Sequence, residues 1–198
     1  MIYPNQLTVL RIILTPVFIF LFLSNDPLLK QISLVVYIIA AITDWYDGWL
    51  ARKFNYITEW GKFLDPLADK VLTSGAFLAF VIIGVLNLWM VILIIARDFI
   101  ITGLRVYADY KKRSFKTSVL AKWKTFIQMA FIYYLLLFHT LRTVDTLNKN
   151  YSSVFDALLE HRLIYWSMMV VTVFTIVTGI TYLFSNRKLI LQLVKSEN

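Results

Sequence analysis

Asp44-Trp45-Tyr46-Asp47-Gly48-Trp49-Leu50-Ala51-Arg52, continued by Gly61-Lys62-Phe63-Leu64-Asp65-Pro66-Leu67-Ala68-Asp69, puts four carboxylates into a chain that is apolar on both sides of them. The frame is Asp44-x2-Asp47-Gly48-x2-Ala51-Arg52-x8-Gly61-x3-Asp65-x3-Asp69. Read as helix, Asp44, Asp47, Gly48 and Ala51 share one side, because residues three and four apart are surface neighbours, and Arg52 follows one step round. Asp65 and Asp69 are likewise one turn apart. Apolar runs flank the frame, Ile32 to Ile42 before it and Val71 to Val85 after it. A carboxylate at the centre of a membrane helix costs roughly 2.5 to 3.5 kcal/mol on insertion scales, so four of them require cations or a task.

Composition extends the reading to the whole chain. Of its 198 residues 59% are hydrophobic and 16% charged, and the mean hydropathy is +0.68. That is well above a soluble domain of this length and indicates an all-α integral membrane protein. Bilayer-length stretches of about 20 residues place six transmembrane helices at roughly 7–24, 32–53, 62–84, 87–111, 119–141 and 163–184. No boundary or repeat divides residues 1–198, which read as a single membrane-embedded domain. The first apolar run has no basic leader and no small-residue cleavage pattern, so it is expected to be retained. Cysteine is absent, which removes disulfide and thiolate chemistry.

The net charge of +8 is spread over the connections between apolar stretches. This argues for orientation and lipid headgroup contact, and against nucleic acid. Arg52, Lys53 and Lys62, the cluster Lys111, Lys112, Arg113, Lys116, Lys122 and Lys124, and the tail with Arg187, Lys188 and Lys195 mark one side. The positive-inside rule puts these, both termini and the aspartate frame on the cytoplasmic side of the cell's inner (cytoplasmic) membrane. Residues 142–162 form the longest outer connection, where Phe155, Leu158 and Leu159 at helical spacing predict a short helix on the outer membrane surface.

Four carboxylates meeting in a small volume stay ionised only beside cations. Oxygen ligands without His or Cys favour Mg²⁺ or Mn²⁺ over zinc. Gly48 and Ala51 leave room for a phosphate to approach the backbone, and Arg52 would grip a phosphate oxygen. Paired metals beside an arginine suit in-line displacement at phosphorus, with a rim carboxylate taking the nucleophile's proton. Taken singly, Asp65 before Pro66 would be a helix N-cap at which the span begins or kinks, and Asp44 or Asp47 a structural partner of Arg52.

The frame resembles the signature of the CDP-alcohol phosphotransferase family, with every fixed position met. The resemblance implies a six-helix membrane fold, a homodimer, and transfer of a phosphatidyl group from a CDP-linked lipid to an alcohol with release of CMP. It implies that Asp44, Asp47, Asp65 and Asp69 hold a two-metal site and that Asp69 is the general base. Gly48 and Arg52 would contact the CDP-diacylglycerol donor, with Thr58 in the same loop and Asn5 and Thr8 of the opening run also on the donor side.

Pro4-Asn5-x-Leu7-Thr8-x2-Arg11, Ala96-Arg97-Asp98-Phe99-Ile100-Ile101-Thr102-Gly103-Leu104-Arg105, Lys122-x-Lys124-Thr125-x2-Gln128-Met129 and Thr178-Gly179-x2-Tyr182 are similar to runs in the bacterial phosphatidylglycerophosphate synthases of that family. Asp98 stands where those usually carry glutamate, and Ala121 where glycine is usual. The resemblance implies glycerol 3-phosphate as acceptor. Its dianion needs cations, which Arg97, Arg105, Lys122 and Lys124 are suited to supply. Arg97 and Arg105 lie within about 80° on one helix face.

Three other readings compete. Phosphatidylglycerol as acceptor would give cardiolipin by the same chemistry. Intramembrane prenyltransferases also hold Mg²⁺ and a diphosphate on helical aspartates, but lack the Gly-x2-Ala-Arg insert. Ion-coupled transporters place buried acids nearer the bilayer midplane. His139 and His161 show no ligand spacing and read as surface or interface residues. Trp60, Trp89, Trp123, Tyr151, Tyr165 and Trp166 fit an interfacial aromatic belt, and Met129, Met168 and Met169 fit helix contacts.

Overall fold

The computed structural model describes the backbone of residues 4–54, 59–111, 113, 115 and 119–195, and the side chains of residues 7–43, 46, 64–111, 113, 115 and 119–192. Among the described residues there are eight helices and no strand: α1 (Pro4–Leu23), α2 (Pro27–Phe54), α3 (Glu59–Ile82), α4 (Leu88–Tyr110), α5 (Val119–Leu141), α6 (Asp145–Leu158), α7 (His161–Ser185) and α8 (Arg187–Lys195). Six of them, α1 to α5 and α7, coincide with the apolar stretches read from the sequence.

Local chemistry sets the turns. Asp26 caps α2 by accepting the Leu28 N–H at 2.8 Å, and Pro27 occupies the first helical position, where no N–H is needed. This tight connection folds α1 back along α2. At the other end of α3 the chain reverses through Gly84, whose φ of +76° suits a residue without Cβ. Val85 N–H there bonds the Phe80 carbonyl at 2.9 Å, satisfying a carbonyl the helix end would otherwise leave unpaired.

Packing centres on α1, α2 and α3, with α4, α5 and α7 closing the other side. Between helices in lipid there is little hydrophobic drive, so close contact and small residues matter most. Ala40, Ala68, Ala76 and Ala79 are fully buried. At Gly75 a Cβ would come 2.8 Å from Thr15 Cγ2, so α1 and α3 touch there through the missing side chain. Aromatic rings fill the rest: Phe18 against Tyr37 at 5.1 Å, Phe22 against Phe80 at 5.0 Å, and Tyr37 against Tyr133 at 5.6 Å.

The outside is apolar. Phe20 is 76% exposed and Val170 65%, and Ile13, Ile42, Ile82, Ile100 and Val177 also face outward. In water such a surface would aggregate; it suits a membrane protein. By length and composition, Val119–Leu141 and His161–Ser185 are each long and apolar enough to cross a bilayer, and shorter apolar stretches cover Leu7–Leu23 and Pro27–Thr43.

Two elements differ from expectation. The connection after α5 is helical as predicted, but its apolar stripe is used by the protein: Phe155 is buried, its ring meets Phe138, and the Leu158 carbonyl accepts the Tyr134 hydroxyl. The helix breaks at Tyr151 (φ −130°). The tail also forms a helix, α8, which the sequence reading passed over as a basic end. Leu189 and Ile190 pack toward Tyr182 and Phe115, and Arg113 donates to Gln192 at 2.8 Å. His139 lies half-buried with its ring 5.8 Å from that of Phe80, and His161 is exposed, in keeping with the surface and interface reading.

Candidate active site

Positions 44, 47, 48, 51 and 52 all fall within the continuous helix α2, so the register assumed for the first half of the frame holds. The side chains of Asp44, Asp47, Gly48 and Arg52 lie outside the described residues, as do that of Asn5 and all of Thr58. The second half is described. Asp65 and Asp69 are one turn apart on α3, which starts at Glu59 and runs through Pro66 as an interior residue. Asp65 is therefore no N-cap. Its carboxylate Oδ1 accepts the hydroxyl of Thr8 from α1, a fully buried side chain that ties the opening run to the frame. With two hard oxygen donors on one face of α3, and two more aspartates one turn apart on α2, the donor set fits a hard divalent cation.

Asp69 leads into a second charged group. Lys70 sits 3.1 Å from Asp69 Oδ2 and 3.9 Å from Asp98 Oδ2. Asp98 lies on α4 and is only 2% exposed. Its Oδ1 also accepts Arg97 Nη1 at 3.1 Å and the ammonium of Lys124 from α5. Three cations thus converge on one buried carboxylate. In the low-dielectric interior a lone carboxylate would be costly, and three cationic partners offset that cost. The aspartate in place of glutamate reaches all three.

Beside this group opens a cavity of about 550 Å³, lined among others by Lys70, Arg97, Arg105, Lys122 and Thr125. Four cationic side chains face one space. Lys124 does not line it. It stands behind, 1% exposed, against Asp98, whereas Lys122 is exposed toward the opening. Two positions apart on a helix is about 200° of rotation, so the two lysines cannot share a face. Met129 lines the cavity, while Met168 is buried in the core as expected.

Residues 1–180 match the description of the CDP-alcohol phosphatidyltransferases. The chain belongs to this family. Curated relatives named "CDP-diacylglycerol--glycerol-3-phosphate 3-phosphatidyltransferase" share its sequence. One from Rickettsia bellii is 35% identical over 179 residues, covering 90% of this chain and 92% of the relative. One from Bacillus subtilis is 39% identical over 68% of this chain and 76% of its own. One from Salmonella paratyphi A is 41% identical over 67% and 75%. As a CDP-alcohol phosphatidyltransferase the chain is a transferase of phospholipid synthesis, and the prenyl-transfer and transport readings fall away.

Three features of this phosphatidyltransferase escaped the sequence reading. Lys70 was overlooked, although it directly follows Asp69, where a cation beside clustered acids was a usable signal. Asp98 was read as a substitution rather than as the centre of a cation group, because its partners Lys70 and Lys124 come from other helices. The third is the support that α7 gives α4. Arg97 Nη2 donates to Thr178 Oγ1 at 3.3 Å, and the Arg105 guanidinium lies 5.9 Å from the Tyr182 ring centroid.

Proposed function

We propose that this chain transfers the phosphatidyl group of CDP-diacylglycerol to sn-glycerol 3-phosphate, forming phosphatidylglycerophosphate and CMP. The observation that carries the acceptor choice is the cavity with Lys70, Arg97, Arg105 and Lys122 on its wall, next to Asp69. A phosphomonoester dianion matches so many cations better than the single charge of a phosphodiester.

Asp44, Asp47, Asp65 and Asp69 would hold Mg²⁺ or Mn²⁺, which when bound neutralises the donor diphosphate and stabilises charge on the departing CMP. Thr8 holds Asp65 in place. Gly48 would leave space for the diphosphate and Arg52 would bind one of its oxygens, with Asn5 and Thr58 as further candidates for donor contact. Asp69 takes the proton of the glycerol hydroxyl, and Lys70 on its Oδ2 orients the carboxylate for that task. The freed oxygen attacks the lipid-side phosphorus. One P–O bond forms, the bond to CMP breaks, and the proton remains on Asp69. Arg97, Arg105 and Lys122 hold the acceptor phosphate, while Lys124 acts through Asp98 rather than on the substrate.

The whole chain works as one domain of six membrane spans, α1 to α5 and α7, in the inner membrane. Its charge distribution turns the site toward the cytoplasm, and a homodimer is the expected assembly. Replacing Arg105→Ala tests the acceptor assignment by initial rates. KM for glycerol 3-phosphate should rise by about tenfold or more, the loss of a charge-assisted contact worth roughly 1.5 to 3 kcal/mol, with KM for CDP-diacylglycerol unchanged. An unchanged acceptor KM would move the acceptor pocket elsewhere.

A further inference from the structure

Arg97 and Arg105 are two turns apart on α4, about 12 Å along its axis. An exposed arginine keeps several rotamers, so two of them grip one small dianion only if something fixes both. Each is met by α7. The Arg97 side chain runs across the backbone of α7 at Gly179: a Cβ there would stand 2.9 Å from Arg97 Cγ and 3.2 Å from its Nε. One residue before, the Thr178 hydroxyl donates to the Thr175 carbonyl at 2.9 Å. This turns its lone pairs toward Arg97 Nη2, 3.3 Å away.

One turn further along α7, Tyr182 supports Arg105. Its ring is 2% exposed, lies under the guanidinium at 5.9 Å, and is backed edge-on by Phe115 at 5.7 Å. The Tyr182 hydroxyl is buried without a partner among the described residues, so the ring face, and not the hydroxyl, is the contact in use. Thr178, Gly179 and Tyr182 each meet an arginine, and none of the three is among the residues that line the cavity.

We propose that Thr178, Gly179 and Tyr182 are positioning residues of the acceptor site: α7 is the template that sets the orientation of Arg97 and Arg105, and hence the enzyme's grip on a phosphomonoester. Gly179 admits the Arg97 stem, Thr178 fixes its fork, and the Tyr182 face holds Arg105 flat by a cation–π contact. The proposal rests on the assignment of both arginines to the acceptor phosphate. It adds that their placement is decided on a helix that does not itself reach the substrate.

The test uses the purified full chain, with initial rates in glycerol 3-phosphate and in CDP-diacylglycerol and a thermal unfolding midpoint for each variant. Gly179→Ala should raise the acceptor KM about tenfold or more, as a misplaced binding group does, and leave the donor KM alone. In an Arg97→Ala background the same Gly179→Ala change should add less than about twofold, since the group it displaces is gone. Tyr182→Phe should behave as the parent, and Tyr182→Leu should raise the acceptor KM by roughly three- to tenfold.

A folded Gly179→Ala enzyme with unchanged acceptor KM would overturn the proposal. So would equal increases in both KM values, or a full additive effect in the Arg97→Ala background. If Gly179→Ala folds only when Arg97 is also alanine, the clash is with Arg97 as proposed; folding in neither background refutes it. Should Arg97→Ala itself leave the acceptor KM unchanged, the acceptor assignment fails and the template with it. Should Arg97→Ala raise it and Gly179→Ala not, only the template fails.

Discussion

Asp98 holds one negative charge against Lys70, Arg97 and Lys124, and the pair it makes with Lys124 is the most deeply buried of the three. Removing one partner of such a pair leaves an uncompensated charge and costs roughly 3 to 5 kcal/mol. Lys124→Met should fall toward the lower end of that range, because two cations remain on Asp98. It should therefore lower the thermal unfolding midpoint clearly, and adding Asp98→Asn should recover most of the loss. Equal stability of Lys124→Met and the parent would show that the pair is not buried as described. At this scale the sequence told the aspartates apart from ordinary surface charge by their spacing alone. It could not separate Lys122 from Lys124: both are lysines two positions apart, and which one faces the cavity is fixed by how α5 rotates against α4. Lys70 was legible as a cation beside Asp69, but its second partner, Asp98, stands 28 positions along the chain and was not.

Among the elements, α1 and α3 make the contact that brings Thr8 to Asp65. The same two helices meet at Gly75, where a methyl group would meet Thr15 Cγ2 at 2.8 Å. Gly75→Ala should cost about 1 to 3 kcal/mol by overpacking, read as a lower unfolding midpoint. Thr15→Ser removes the offending methyl and should restore most of it; failure of that rescue would mean the helices are not registered at this point. Apolar length made α1 to α5 and α7 visible from the sequence. It hid α8, which has nine residues, too few to span, and whose apolar side is used against Tyr182 and Phe115 rather than against lipid. It also misassigned the stripe of α6, since periodicity shows that a face is apolar and not what covers it.

For the molecule as a whole, the proposed topology follows from charge asymmetry, which predicts the aspartate frame on the cytoplasmic side and α6 on the other. A chain without cysteine allows this to be read by single substitutions. In intact cells a membrane-impermeant maleimide should label Ser153→Cys on α6 and spare Lys188→Cys on α8 until the membrane is opened; the reverse pattern would invert the topology. Reaction and donor follow from the frame and the family. The alcohol follows from the cationic cavity, which is built from α3, α4 and α5 and backed by α7, so its completeness was beyond any single stretch of sequence. The most direct test is CMP release by the purified chain from CDP-diacylglycerol with glycerol 3-phosphate or phosphatidylglycerol as sole acceptor. Glycerol 3-phosphate should support turnover and phosphatidylglycerol should not; CMP release with phosphatidylglycerol alone, yielding cardiolipin, would contradict the account.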